Sequence, residues 1–151
     1  MQKKKLVIPF FALAALLFAV SLLLYLKAPA GYRRTFVFPL LGSEKPVTEI
    51  RYLSREPAQG DIPLYIDELL LGPQTQRARP LFSPGTTCEF CFVREKTLYV
   101  GLSKAVLYQD GAAADILDGI ALFKSNILHN FRAVSAIELF IDNKIVENAA
   151  L

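Results

Sequence analysis

Cys88-Glu89-Phe90-Cys91 is the spacing in this chain best suited to chemistry. A C-x-x-C pair at a helix start makes a redox couple, and two such pairs make a zinc site. Here the pair falls in a run of strand-forming residues, there is no second pair, and His129 is the single histidine. In an extended strand the two Cα atoms would stand about 10 Å apart with their side chains on opposite faces. A disulfide spans no more than about 7 Å. The spacing therefore predicts two free thiols, with Cys88 inward beside Phe90 and Phe92. A bulge in the strand would be needed to let them bond.

The remaining reactive types are scattered. His129 sits near the end of a long helical pattern, where a cation favours the helix dipole, with no Ser or Cys partner in view. Ser103 and Lys104 are adjacent at a strand end, where they do not converge, and no glycine cluster follows to form an oxyanion hole. Asp115 and Asp118 lie three apart on the same helical pattern and share a face, which reads as a solvated acidic surface. Arg77 and Arg79 occupy a loop, facing solvent or an anionic partner. There is no phosphate loop, nucleotide fingerprint or metal triad. No catalytic residue, metal ligand or cofactor site is assigned. Tyr52, Tyr65, Tyr99 and Tyr108, with several phenylalanines, could leave one exposed aromatic patch, the mark of an interaction site.

The elements that carry these residues begin with an uncharged run of 21 residues bounded by Leu6 and Leu26. A helix of that length rises about 30 Å, the depth of a bilayer's hydrocarbon core. A cleaved signal peptide has a shorter apolar region, about 7–15 residues, so the length favours an uncleaved anchor. Ala28-Pro29-Ala30 resembles a cleavage site and keeps the alternative open. Pro9 falls in the first turn of the run, where its missing N–H costs least. Lys3, Lys4 and Lys5 precede the run, and Lys27, Arg33 and Arg34 follow it. The count is nearly balanced, and the tight cluster beside the α-amino group tips the orientation toward N-terminus inside. The expected location is the cytoplasmic (inner) membrane, single-pass, with the remaining domain extracytoplasmic or periplasmic.

The formal net charge is +3, but all 14 acidic residues lie beyond the anchor, which leaves residues 28–151 with one more acid than base. That balance carries no basic face of the kind nucleic acid requires. About 120 residues suit a single core. We expect residues 1–27 to be a cytoplasmic stub and anchor, 28–33 a juxtamembrane linker, 34–146 one domain and 147–151 a tail.

Along that domain, Phe36 and Phe38 alternate in a strand that Pro39 should end. Residues 47–55 alternate with Ile50 and Tyr52 on one face and Glu49, Arg51 and Arg55 on the other, which reads as a half-buried strand with the apolar pair inward. Asp61 is positioned to cap a helix with the stripe Ile62, Ile66, Leu69 and Leu70, and with Asp67 and Glu68 facing away. Gly72-Pro73 stops it. Residues 87–94 and 97–103 read as a hairpin with Leu98, Val100 and Leu102 on one face. A long helix is expected over 112–131, with the stripe Ala113, Ile116, Ile120, Phe123 and Ile127 widened by Leu117. A last strand follows over 135–141, then a turn at 142–144. The order ββαββαβ predicts an α+β two-layer sandwich, two helices on a mixed sheet of about five strands, preceded by one transmembrane helix.

The segments DELLLGP (67–73), SPGT (83–86), LYVGLSKAVL (98–107) and IELFIDNK (137–144) resemble the GerMN domain, named for sporulation and germination proteins. The likeness covers nearly all of the soluble part, and departs from the pattern at Gly101, Asn143 and the two cysteines. It implies a non-catalytic, anchored, extracytoplasmic domain that assembles with envelope partners, in some members as rings. Gly72, Pro73, Pro84, Gly85 and Ser103 would then be structural motif residues: the glycines free the turns, the prolines stiffen them, and Ser103 bonds locally. The expected partners are the lipid bilayer and an envelope protein or cell-wall component, with homo-oligomer formation possible and no nucleic acid. The competing expectation is a ligand-binding or glycan-acting envelope domain, which would need paired carboxylates in a cleft.

Overall fold

The computed structural model describes residues 3–27, 31–43, 45–108, 111 and 113–146. The chain divides into two units at residue 30. The first is a helix, α1 (Lys3–Lys27). Its stretch Pro9–Leu26 is long and apolar enough to cross a membrane. Because the helix begins at Lys3, Pro9 falls in its second turn, not its first.

The second unit begins at Gly31. Strands β1 (Tyr32–Pro39) and β2 (Pro46–Leu53) form an antiparallel hairpin, and α2 (Asp61–Leu70) follows. Strands β3 (Cys88–Arg94) and β4 (Thr97–Leu102) form a second hairpin. A 3-10 turn over Lys104–Leu107 leads to α3 (Ile116–Asn130), β5 (Ala136–Ile141) and the short β6 (Lys144–Ile145). The α+β class and the mixed sheet hold: β4 and β5 are parallel, and the other pairs antiparallel. Among the described residues the strands number six and lie in two sheets, β1-β2 and β3-β4-β5-β6.

One core joins them. Phe36 and Phe38 of β1, Tyr65, Ile66 and Leu69 of α2, Phe123 and Ile127 of α3, and Leu98, Val100, Leu102 and Leu139 of the larger sheet are all without exposed surface.

The expected faces differ in four places. On β2 the polarity is inverted: Ile50 and Tyr52 are exposed, whereas Arg51 and Leu53 are buried. On α2 the N-cap is Gly60, with Asp61 the first helical residue. Glu68 faces inward enough to meet Arg51 at 3.3 Å, and Tyr65 joins the buried stripe. On β3 a register shift between Cys88 and Phe90 puts Phe90 and Phe92 on the outer face, away from Cys88. On α3 the helix starts at Ile116, after Asp115, whose carboxylate accepts from Leu117 N–H at 2.9 Å. Ala113 therefore precedes the helix, and Leu117 is exposed. Asp110, Ala112 and the expected tail lie outside the described residues, as does Ala28-Pro29-Ala30.

Gly119 is where α3 presses closest on the rest of the domain. A Cβ there would collide with the Leu81 carbonyl oxygen and approach the Phe82 ring to 3.1 Å. Alanine would gain about 1 kcal/mol of helix propensity, yet the collision is with backbone. Gly119→Ala is expected to destabilise the domain by a net ~1–3 kcal/mol, read as a lower urea midpoint at unchanged slope.

Candidate functional site

Apart from Cys88 and Cys91, which a register shift in β3 brings to one face, the chemistry-bearing residues among the described ones do not converge. Ser103 Oγ accepts from Thr87 N–H at 3.1 Å, and Ser103 N–H donates to the Thr87 carbonyl at 3.0 Å; Lys104 turns away into solvent. Asp115 is used as a helix cap, so it does not share a helical face with Asp118. His129 is exposed in the last turn of α3. The backbone of Arg77 and Arg79 extends the end of β1: Arg77 C=O accepts from Leu41 N–H and Arg79 N–H donates to Pro39 C=O, both at 2.8 Å. Among the described residues no group of three or more His, Cys, Asp or Glu could hold a metal.

The best-packed carboxylate is committed elsewhere. Glu49 accepts from Arg51 Nη2 at 2.8 Å and from the N–H groups of Gln74 and Thr75 at 3.1 and 3.0 Å. Burial alone would raise its pKa, but these donors hold it below the usual carboxylate range. Such a group is a poor general acid.

Two of the GerMN-like motif residues, Pro73 and Pro84, wall a shallow groove of about 320 Å³ together with Leu71, Pro80 and Phe82. Gly72, at φ 90°, turns the chain into Pro73 and directs its carbonyl to Arg51 Nη2 at 2.7 Å. Ser83-Pro84-Gly85-Thr86 has Pro84 and then Gly85 (φ 85°) in its centre, with Thr86 N–H donating to the Ser83 carbonyl at 3.2 Å. That is the pattern of a type II turn. No ionisable side chain lines the groove, so it offers no acid–base pair to a glycan.

An aromatic surface does assemble, on the outer face of the larger sheet. Phe90 stands opposite Gly101, Phe92 opposite Tyr99, and Phe140 lies beyond Gly101 on β5. The Phe92 and Tyr99 rings stack at 5.1 Å, and Phe90 lies 6.1 Å from Phe92 and 5.6 Å from Phe140. Gly101 makes this possible: a Cβ there would run into the Phe90 ring. Phe92 is 52% exposed, and Ile145 on β6 extends the apolar surface. The buried residues of α2 and α3 belong to the core on the opposite face. Of the four tyrosines considered from sequence, Tyr99 alone joins this cluster. Tyr65 is fully buried, and Tyr52 and Tyr108 are exposed elsewhere.

A hairpin, a helix, a mixed four-stranded sheet and a second helix laid along the hairpin define a GerMN-like fold. Among solved structures it is similar to the first GerMN domain of the sporulation protein GerM from Bacillus subtilis, at a TM-score of 0.61 and 13% identity, over 78% of this chain and 87% of that one. It is also similar to the tandem GerMN domains of the same protein, at a TM-score of 0.57 and 16% identity, over 76% of this chain and 40% of that one. A putative lipoprotein from Clostridium perfringens matches at a TM-score of 0.48 and 15% identity, over 78% and 79% of the two chains. No family model and no curated protein matches the sequence.

Proposed function

We propose that this chain is a membrane-anchored assembly module of the cell envelope, working by contact and without turnover. In this reading α1 is a signal anchor with its N-terminus inside, and the GerMN-like domain stands on the extracytoplasmic side. Confinement to the membrane raises its effective concentration toward partners on the same surface. The contact surface is the aromatic face of Phe90, Phe92, Tyr99 and Phe140, and the partner is an envelope protein.

The observation that carries this reading is that aromatic face. A soluble domain rarely leaves several large rings side by side at its surface, and aromatic residues are the usual anchors of protein interfaces. Two of its rings, Phe90 and Phe92, stand on β3, an edge strand of its sheet, whose outer backbone groups offer a second means of contact. The resemblance to domains of a sporulation protein fits an envelope role; no step of sporulation is assigned to this chain.

The test places a photo-crosslinking residue at Phe92 in the full chain in its native membrane, with Arg132, exposed on the turn after α3, as the control position. We expect one discrete adduct from position 92 and none from position 132. Tyr99→Ser, which leaves the core untouched, should reduce that adduct at least about tenfold, since losing a buried interface aromatic costs upward of ~1.4 kcal/mol. Equal labelling from both positions, or indifference to Tyr99→Ser, would remove the aromatic face from the mechanism. Protease added outside spheroplasts should digest the domain; protection would reverse the orientation.

A further inference from the structure

In a regular strand, residues three apart point to opposite faces, and Cys88 and Cys91 would be out of each other's reach. The observed register is different. Cys88 stands opposite Leu102 and Cys91 opposite Val100, and both of those residues point into the core with no exposed surface. The ladder shifts between Cys88 and Phe90, so Glu89 is the additional residue of a β-bulge. One inserted residue turns an odd spacing into an even one. Both thiols therefore arrive on the inner face, half-buried at the margin of the core.

There they are neighbours. Their partners on β4, Leu102 and Val100, are two apart and share that face, and the Cys88 thiol donates to the Phe90 carbonyl at 3.3 Å. We propose that Cys88 and Cys91 are a dithiol–disulfide couple, closed by exchange with a disulfide of the surrounding compartment, whose closure locks the bulge of β3. This goes beyond the assembly role, and its chemistry depends on the bulge and not on any partner.

The exchange has two steps. The Cys88 thiolate attacks one sulfur of a disulfide R–S–S–R, forming Cys88–S–S–R and releasing R–S⁻. Cys91 then loses its proton, its sulfur attacks Cys88 Sγ, and the second R–S⁻ leaves. Two S–H bonds of the protein are lost, one S–S bond forms, and the two protons end on two R–SH. The dithiol is oxidised and the external disulfide reduced.

The surroundings assign the order. The Cys91 side chain beside it holds the Cys88 thiol below its usual pKa, against burial and the carboxylates of Asp67 and Glu89. The neighbouring Cys88 side chain, then burial and the Cys88 charge, push Cys91 upward. Cys88 is thus the attacking sulfur. Once it carries R–S, its negative charge is gone and one cause of the raised Cys91 pKa goes with it. Closure perturbs little else, because β3 pairs with β4 alone. It encloses Glu89 and Phe90, and Phe90 is the ring that lies over Gly101, so the redox state reaches the aromatic face directly.

The test equilibrates the full chain, in detergent micelles, with glutathione buffers of increasing oxidised fraction. Samples are quenched in acid, alkylated with N-ethylmaleimide and read by intact mass and peptide mapping. We expect monomer that has lost two hydrogens and takes no label, converting to doubly labelled monomer across a single midpoint as the buffer is reduced. Cys91→Ser should accumulate a glutathione adduct on Cys88 about tenfold faster than Cys88→Ser does on Cys91. The wild-type reading stands even if a variant misfolds. Singly labelled species with independent midpoints, glutathione adducts on the wild type without closure, or disulfides only between chains would each overturn the proposal. Loss of the position-92 adduct with an intact couple would count against the assembly reading alone.

Discussion

Asn126→Leu is expected to lower the stability of the GerMN-like domain by ~3–5 kcal/mol, because it removes half of a side-chain ladder that stands in for a β-strand. Along Thr35 and Val37 the outer edge of β1 is met by α3 and not by a strand. Asn126 Oδ1 accepts from Val37 N–H and its Nδ2 donates to the Val37 carbonyl, both at 2.8 Å. One turn on, Asn130 repeats the exchange with Thr35, at 3.0 and 2.7 Å. An amide side chain presents the same donor and acceptor as a peptide group, so two asparagines four apart on a helix satisfy two alternate residues of a strand. Asn126 is only 2% exposed. Leucine has nearly its shape but strands the Val37 N–H and C=O away from water, at ~1–3 kcal/mol each. It also removes an acceptor 3.2 Å from the Tyr65 hydroxyl. Asn130→Leu should cost less, ~1–2 kcal/mol, because that site is only partly buried and water can replace the amide. Urea unfolding of residues 31–151 compares the two. Equal and small losses would mean that the ladder is not what holds α3 to the hairpin.

This ladder also explains why one expected sheet became two. The sequence pattern counts strands, and five of the six were visible as alternating runs. It does not show which edges are covered by a helix. The signal was present but easily discounted: Asn126 and Asn130 sit beside Phe123 and Ile127, where a polar residue reads as the border of the apolar stripe. Other departures have local causes that spacing does not carry. Arg51 was placed outward by its charge, yet its guanidinium lies 4.6 Å over the Phe36 ring, where it is shielded from water. The bulge at Glu89 carries no residue type that announces it, so strict alternation sent Cys88 and Phe90 to the same face. Gly101, by contrast, looked like a mere departure from the GerMN pattern until the Phe90 ring was seen lying over it. What spacing does convey here is the run of the elements: an apolar stretch within α1, the paired turns at Gly72-Pro73 and Pro84-Gly85, and the buried alternation of Leu98, Val100 and Leu102. Contacts between distant segments, which decide faces and edges, leave no periodic trace.

Arg51→Met is expected to cost a further comparable amount, ~3–5 kcal/mol, and to flatten the acid limb of stability. Arg51 ties three segments together. Its Nη1 donates at 2.9 Å to the Glu68 carbonyl, one of the last in α2, and its Nη2 at 2.7 Å to the Gly72 carbonyl in the turn that follows. It also meets the carboxylates of Glu49 and Glu68 at 2.8 and 3.3 Å. Methionine retains much of the volume and the contact with Phe36 but leaves the Glu68 and Gly72 carbonyls without these donors and the half-buried Glu49 carboxylate without its cation, a loss that is expensive away from water. Lysine should rescue little, because one ammonium cannot reach acceptors on β2, on α2 and at the turn while stacking on a ring. The pH dependence separates this account from simple packing loss. The folded-state pKa of Glu49 is depressed below the usual range, so the unfolded state binds protons first. The stability Glu49 contributes is therefore fully present above the ordinary carboxylate pKa, about 4.3, and is lost as the pH falls through the lower folded value. In Arg51→Met the Gln74 and Thr75 donors remain but the largest lowering influence is gone, so unfolding free energy should fall less steeply below about pH 4.5 than in the native protein. Parallel acid limbs in the two proteins would show that Arg51 holds the turn by shape alone.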